Sequence, residues 1–327
     1  MVNTPAPHRE LQDHTRWVKE RLREYGFTHV GIAAAEPLRK EQAYLLEWLE
    51  RGFHAGMNWL AREPEKRSDV TRLLADARSV VCVGMNYYTP GKIPENDDAV
   101  RISRYAWGDD YHEIMLSRLE RFRAKLDERF PGVSCKIYVD TGPVMEKAWA
   151  ARSGIGWQGK HTNIITRDAG SWIFLGVIVS TLELLHDSPA LDYCGTCRAC
   201  IDACPTGAIV EPYILDSNLC ISYQTIENRG DAIPDEVAEK LEGWIFGCDI
   251  CQDVCPWNSF SKETTEPGFA PRPGILQLGL REAMNMTDED FRRRFRGSPV
   301  SRARPRGFRR NAGTVYASRS SYQNDNC

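Results

Sequence analysis

Four cysteines within one short run, CGTCRACIDACP at 194–205, constrain this chain more than any other feature. Crowded thiols become a disulfide frame where the surroundings oxidise them and a metal site where they do not. The start, MVNTPAPHRE, is polar and has no apolar stretch behind a basic end, so it does not read as an export signal. WIFLGVIV at 172–179, the longest nearly continuous apolar run, is too short to cross a bilayer and reads as a buried strand. The expectation is a cytoplasmic protein. Eleven cysteines in 327 residues are also too sparse for a small stapled fold, which leaves metal ligation as their use.

Cys194, Cys197, Cys200 and Cys204, closed by Pro205, give C-x2-C-x2-C-x3-C-P. In bacterial-type ferredoxins this spacing supplies three ligands to one iron–sulfur cubane and the fourth to its neighbour. A second run, Cys248, Cys251 and Cys255 with Pro256, ends in the same way but lacks a first member, and Cys220 in DSNLCISYQ can supply it. The crosswise rule then assigns Cys194, Cys197, Cys200 and Cys255 to one [4Fe-4S] cluster and Cys204, Cys220, Cys248 and Cys251 to the other. Structural zinc also uses C-x2-C pairs, but rarely with a third cysteine two residues on and paired Cys-Pro endings. Cys82, inside an apolar strand, reads as a small core residue. Cys135 starts a strand and Cys327 lies on the tail, with no catalytic signature at any of the three. Two clusters imply one-electron transfer and so a terminus, for which the preceding domain must hold a second redox cofactor or the substrate.

That preceding domain alternates strand and helix signals up to about residue 185. THVGIAAA at 28–35, SVVCVGMNY at 79–87, CKIYVD at 135–140 and WIFLGVIVS at 172–180 read as strands. KEQAYLLEWLERG at 40–52 and YHEIMLSRLERFRAKLDERFPG at 111–132 read as helices with Gly or Pro-Gly stops. The expected architecture is a mixed α/β, or α+β, domain over 1–185, a double-cluster module over 186–262 and an arginine-rich segment over 263–327. With 42% hydrophobic residues the chain can bury a sizeable core. Its net charge of -3 hides an asymmetry, because FRRRFRGSPVSRARPRGFRR at 291–310 carries nine arginines and no acid, leaving the rest near -12. The end, SRSSYQNDNC, has no packing pattern and reads as disordered.

GIGWQGKH at 154–161 satisfies G-x-G-x-x-G and nearly satisfies a phosphate-binding loop. A dinucleotide fingerprint must follow a strand and open a helix. These glycines instead follow PVMEKAWAARS, a helical pattern for which Gly154 is the stop. A phosphate loop also needs a hydroxyl after Lys160, where this chain has His161. The stretch reads either as a plain glycine-rich turn or as a site with close backbone approach, a cation and an imidazole.

Read together, ISRYAWGDDYH, YVDTGPVMEKA, GWQGKHTNI, CGTCRACIDACPTGAIVEPYILDSNLCISYQTIE and GCDICQDVCPWN closely resemble the epoxyqueuosine reductase family, from about residue 10 to about 311. The resemblance implies a nitroreductase-like cobalamin-binding domain followed by a ferredoxin-like module with two [4Fe-4S] clusters, and relatedness to corrinoid reductive dehalogenases. It implies reduction of epoxyqueuosine to queuosine at the wobble position of tRNA, with electrons from an external low-potential donor. The family's proton donor falls on Asp140. Residues alone leave Asp140 the alternative of capping the next helix, where the helix dipole would favour its ionised form. Cobalamin contacts carry over to Arg62, Ser103, Tyr105, Asp140, Gly159, Lys160, His161, Asn163 and Ser222.

The arginine-rich stretch, with Phe291, Phe295 and Phe308, offers charge and stacking surfaces for tRNA, centred on Arg309 and Arg310. Its plain alternative is a solvated charge run. The family likeness fades after RRNA at 309–312, and VYASRSSYQNDNC looks neither helical nor familiar. The enzyme is expected to act as a monomer. Rival readings are a corrinoid-dependent reductase of a small molecule, a ferredoxin-type electron carrier without its own substrate, and a zinc-stabilised RNA-binding protein.

Overall fold

The computed structural model describes residues 8–94, 96 and 98–324, the last five by their backbone only, so Cys327 lies outside the described residues. The four expected strands form one antiparallel sheet in the order His29–Ala34, Ser79–Asn86, Ile173–Ser180, Cys135–Tyr138. Alternate residues of a strand face opposite layers. Val81, Val83 and Met85 pack with Val18, Leu22, Met115, Leu119 and Phe122 from the helices His8–Glu24 and Tyr111–Arg129. Val80 and Cys82 pack on the other side with Leu38, Trp149 and Ala150. Both faces are covered, which explains the unbroken apolar runs of the two central strands.

The helix Tyr111–Arg129 shows how local sequence places a functional side chain. Asp110 caps it by accepting from the His112 backbone N–H at 3.0 Å. Met115, Leu119, Phe122 and Leu126 then bury one stripe at helical spacing. That leaves His112, in the first turn, facing the end of the strand Cys135–Tyr138 rather than the core. The helix Glu146–Arg152 stops at Gly154, whose φ of 78° suits glycine. GIGWQGKH continues as a short hairpin, Trp157–Gln158 against Ile164–Ile165, so no helix N-terminus is present there to hold a phosphate.

The cysteine module has two helical turns, Ala199–Asp202 and Ile250–Asp253, packed on one another, and only a small buried apolar cluster beside its first thiol run. The C-terminal segment departs from expectation. It forms the helices Leu280–Asn285, Asp288–Arg294 and Arg304–Asn324 in place of a disordered end. Its apolar residues share one core with Val100, Ile102, Trp244, Ile245 and Phe246, so over the described residues this segment is not a separate appendage. Phe291, Phe295 and Phe308 are 3%, 1% and 0% exposed and pack on each other in that core. They cannot serve as stacking surfaces for RNA, because their faces are consumed by packing. Among the described residues no helix is long and apolar enough to cross a membrane.

Candidate functional site

Two cavities lie side by side, and the thiols divide between them. One, of about 340 Å³, is lined by Cys194, Cys197, Cys200 and Cys255 beneath Tyr193, Trp257 and Phe260. The other, of about 510 Å³, is lined by Cys204, Cys220, Cys248 and Cys251. These are the quartets of the crosswise assignment. Packing of the two helical turns carries each run's last cysteine to the other run's cavity. Among the described residues no three Cys, His, Asp or Glu side chains converge as ligands of one bare metal ion. The thiols instead ring a larger space. Burial, then the charges of Cys255, Cys194 and Cys197, push the Cys200 thiol up to about 11. Burial likewise raises Cys220, Cys248 and Cys251. Four thiolates at such a place require a cationic group among them, and iron supplies that charge.

The larger cavity also collects Ser103, Tyr105, Asp140, Glu146, Lys147, His161, Asn163 and Ser222. Asp140 does not cap the following helix, whose N-cap is Met145. It stands in the intervening loop at φ 58°, a strained conformation for a non-glycine residue, with its side chain 67% exposed to the open cavity. His112 Nε2 lies 3.3 Å from Asp140 Oδ2, and His112 Nδ1 lies 2.7 Å from Asp110 Oδ1. The hydrogen bond from His112 holds Asp140 below the usual carboxylate range, against desolvation, with the charges of His112, Lys147 and Arg302 adding to it. Burial opposes the charge on His112, but its hydrogen bonds to Asp110 and Asp140 prevail and push it up to about 9. Burial raises the Glu146 carboxyl to about 7, with the Asp140 charge adding to the rise.

His161 borders both cavities. Its Nδ1 accepts from the Asn163 N–H at 3.2 Å, which leaves the proton on Nε2. Burial and then the Lys147 charge keep the ring neutral, near a pKa of about 4. Nε2 is buried without a partner among the described residues, an orphan donor aimed where a bound group with acceptors would sit. Lys147 donates to Asn163 Oδ1 at 2.9 Å across the same wall.

Several expected site residues do other work. Arg62 is exposed and outside the cavity lining. Gly159 closes the hairpin turn by donating to Asn163 O at 2.8 Å, and it too is outside the lining. Lys160 braces the first cysteine loop, donating to Gly195 O at 2.6 Å and Cys197 O at 2.8 Å. Ser103 lines the cavity, but its hydroxyl donates to buried Asp249, which also accepts from Arg104 N at 2.7 Å. Arg309 binds Met286 O and Asp288. Arg310 donates to Gln224 O in the last turn of the helix Ile221–Ile226 and to Asn228 O and Gly230 O just beyond it, so its guanidinium is a structural clamp rather than an open phosphate ligand. Sequence reasoning gave no role to His112, Glu146, Lys147 or Asp249. All four lie inside quoted motifs, DDYH, GPVMEK and GCDICQDVCPWN, and that adjacency was the signal available.

A two-faced antiparallel sheet joined to two four-thiol cavities defines an iron–sulfur oxidoreductase of α+β fold. Residues 193–258 match the 4Fe-4S double cluster binding domain, and residues 67–141 match Epoxyqueuosine reductase QueG, DUF1730. The epoxyqueuosine reductase of Atelocyanobacterium thalassa is 45% identical over 301 residues, covering 91% of this chain and 97% of its own. That of Synechocystis is 46% identical over 286 residues, covering 86% and 98%. The chain belongs to the epoxyqueuosine reductase family. Among solved structures, an epoxyqueuosine reductase with an epoxyqueuosine-modified tRNA-Tyr stem loop superposes with a TM-score of 0.89 at 29% identity, covering 94% of this chain and 82% of that one. The Bacillus subtilis enzyme, with its catalytic aspartate loop swung out of the active site, superposes at 0.88 and 28% identity with the same coverage.

Proposed function

We propose that this chain reduces epoxyqueuosine to queuosine at the wobble position of tRNA, using cobalamin in the larger cavity and two [4Fe-4S] clusters. The observation that carries this reading is that one cavity holds a carboxyl group, Asp140, and a complete four-thiol ring, Cys204, Cys220, Cys248 and Cys251. A proton source and an electron source thus open on the same space. Cobalamin bound there would supply strongly reducing chemistry for the epoxide, fed by single electrons from the neighbouring cluster. Tyr105, His161, Asn163 and Ser222 would hold it, and the orphan Nε2–H of His161 fits an acceptor on such a group.

Removing the epoxide oxygen as water consumes two electrons and two protons, and Asp140 protonates the departing oxygen. Electrons enter from an external low-potential donor at the quartet containing exposed Cys197. The exposed arginines of the C-terminal segment, Arg296 and Arg304 among them, offer charge to tRNA phosphates. The enzyme works as a monomer in the cytoplasm. Anaerobic purification from cells supplied with cobalamin should give about eight irons and one cobalt per chain. Zinc in place of iron would overturn the proposal, as would single-turnover reduction of a modified stem loop at an unchanged rate by Asp140→Asn.

A further inference from the structure

The row Asp110, His112, Asp140 connects a helix cap to the cavity. Asp110 is fixed by its cap bond to the His112 backbone, and its carboxylate accepts from Nδ1 of the same residue at 2.7 Å. Tyr111 stacks on the imidazole at 4.0 Å between ring centres and is itself stacked on Phe174, so the ring is held in plane. With Nδ1 committed to Asp110, Nε2 is the free end, and it meets Asp140 Oδ2 at 3.3 Å. His112 is not part of the cavity wall. It reaches that space only through Asp140.

One carboxyl carries one proton, whereas loss of the epoxide oxygen as water takes two. Asp140 must therefore be reloaded within a turnover. We propose that His112 is the positioning and proton-loading residue for Asp140, passing its Nε2 proton to the carboxylate each time Asp140 protonates the substrate oxygen. The inference rests on the reading of Asp140 as proton donor. In each transfer the Asp140 O–H bond breaks as an O–H bond forms on the substrate oxygen. The His112 Nε2–H bond then breaks as Asp140 regains its proton, and water reprotonates His112, which is 26% exposed. The electrons are those of the proposed cluster route.

Substrate binding sets the direction of loading. In the open cavity the imidazolium and carboxylate form an ion pair. When RNA excludes water, the separated charges lose solvation and the proton moves toward Asp140, leaving both partners neutral. The groups that bias this equilibrium are Asp110 and Tyr111 on the same helix, Glu146 and Lys147 from the helix after Asp140, Tyr105, and Arg302 from the C-terminal segment.

The test uses the reduced holoenzyme and an epoxyqueuosine-modified stem loop in single turnovers from pH 6 to 10. His112→Gln should lower the rate at pH 8 by roughly 10- to 100-fold and move the alkaline fall from near the His112 value of about 9 to several pH units lower, with RNA affinity within about twofold. Asp110→Asn keeps a capping side chain, guarding against misfolding, and should shift the alkaline fall in the same direction. A readout independent of turnover is acylation of His112 by diethyl pyrocarbonate, quantified by mass spectrometry at pH 7.5. It should be faster in Asp110→Asn, because more of the imidazole is neutral. Unchanged rate and pH profile in His112→Gln, with activity lost in Asp140→Asn, would overturn the relay alone. Full activity in Asp140→Asn would overturn both the relay and the reading beneath it.

Discussion

Glu146, which lines the same cavity as Asp140, carries a carboxyl whose Oε1 is buried without a partner among the described residues. Burial there favours its neutral form. Its folded pKa, raised from 4.5 to about 7, means the folded chain binds a proton that the unfolded chain has lost within that window. Stability from this group consequently falls as pH rises from about 4.5 to about 7. Glu146→Gln removes the titration and should flatten the dependence, so that the variant gains on the wild type between pH 5 and pH 8. Urea melts at those two pH values measure this, and an equal wild-type-to-variant difference at both would refute it. His112 acts with the same sign at higher pH. Its raised pKa gives stability that is full below about 6.5 and is lost as pH rises through about 9.

The helix Arg304–Asn324 is held by a polar clamp as well as by Phe308, Ala312 and Val315. Asn311, fully buried, donates to Thr225 O at 2.8 Å and Ile245 O at 2.9 Å, while Arg310 binds the carbonyls beyond Ile226. Asn311→Ala strands two buried carbonyls and should destabilise the fold by roughly 2–4 kcal/mol, read as a lower melting temperature. RNA affinity of the protein that remains folded should stay the same. The reverse holds for Arg296→Ser with Arg304→Gly, glycine suiting the φ of 60° at Arg304. That pair should leave melting unchanged, weaken RNA binding and reduce the slope of log affinity against log salt by roughly two. The period Phe308, Ala312, Val315 was present in the sequence at helical spacing. Its polar neighbours hid it, and the nine arginines drew the reading toward a solvated or RNA-facing run although three aromatics among them form a core.

Across the whole molecule, the thiol quartets are supported unequally. Around the first cavity the buried apolar cluster is only Trp157, Ile165 and Cys255, whereas the central sheet has large clusters on both faces. Cluster removal by a chelator under reducing conditions should therefore raise hydrogen exchange over 194–204 and 248–255 while Ser79–Asn86 and Ile173–Ser180 stay protected. Exchange that rises equally in the sheet would show that the clusters hold the whole fold together. His161, bordering both cavities, and Asp249, tying Ser103 and Arg104 to the loop of Cys248, join the cysteine module to the wall of the larger cavity.

The sequence by itself determined the four strands, because a strand covered on both faces is apolar at nearly every position, and the two cysteine runs, because ligand spacing within a cubane run is local. It also located the motif carrying Asp140. Only the tertiary structure decided the surroundings that tune that aspartate. His112 lies 28 residues away in sequence, and its charge exists because a helix cap and a loop meet it from opposite sides. The folded chain likewise decided that Lys160 and Arg310 bind backbone carbonyls while His161 keeps an unpaired donor, since hydrogen-bond partners brought together across long separations leave no periodic trace in the chain.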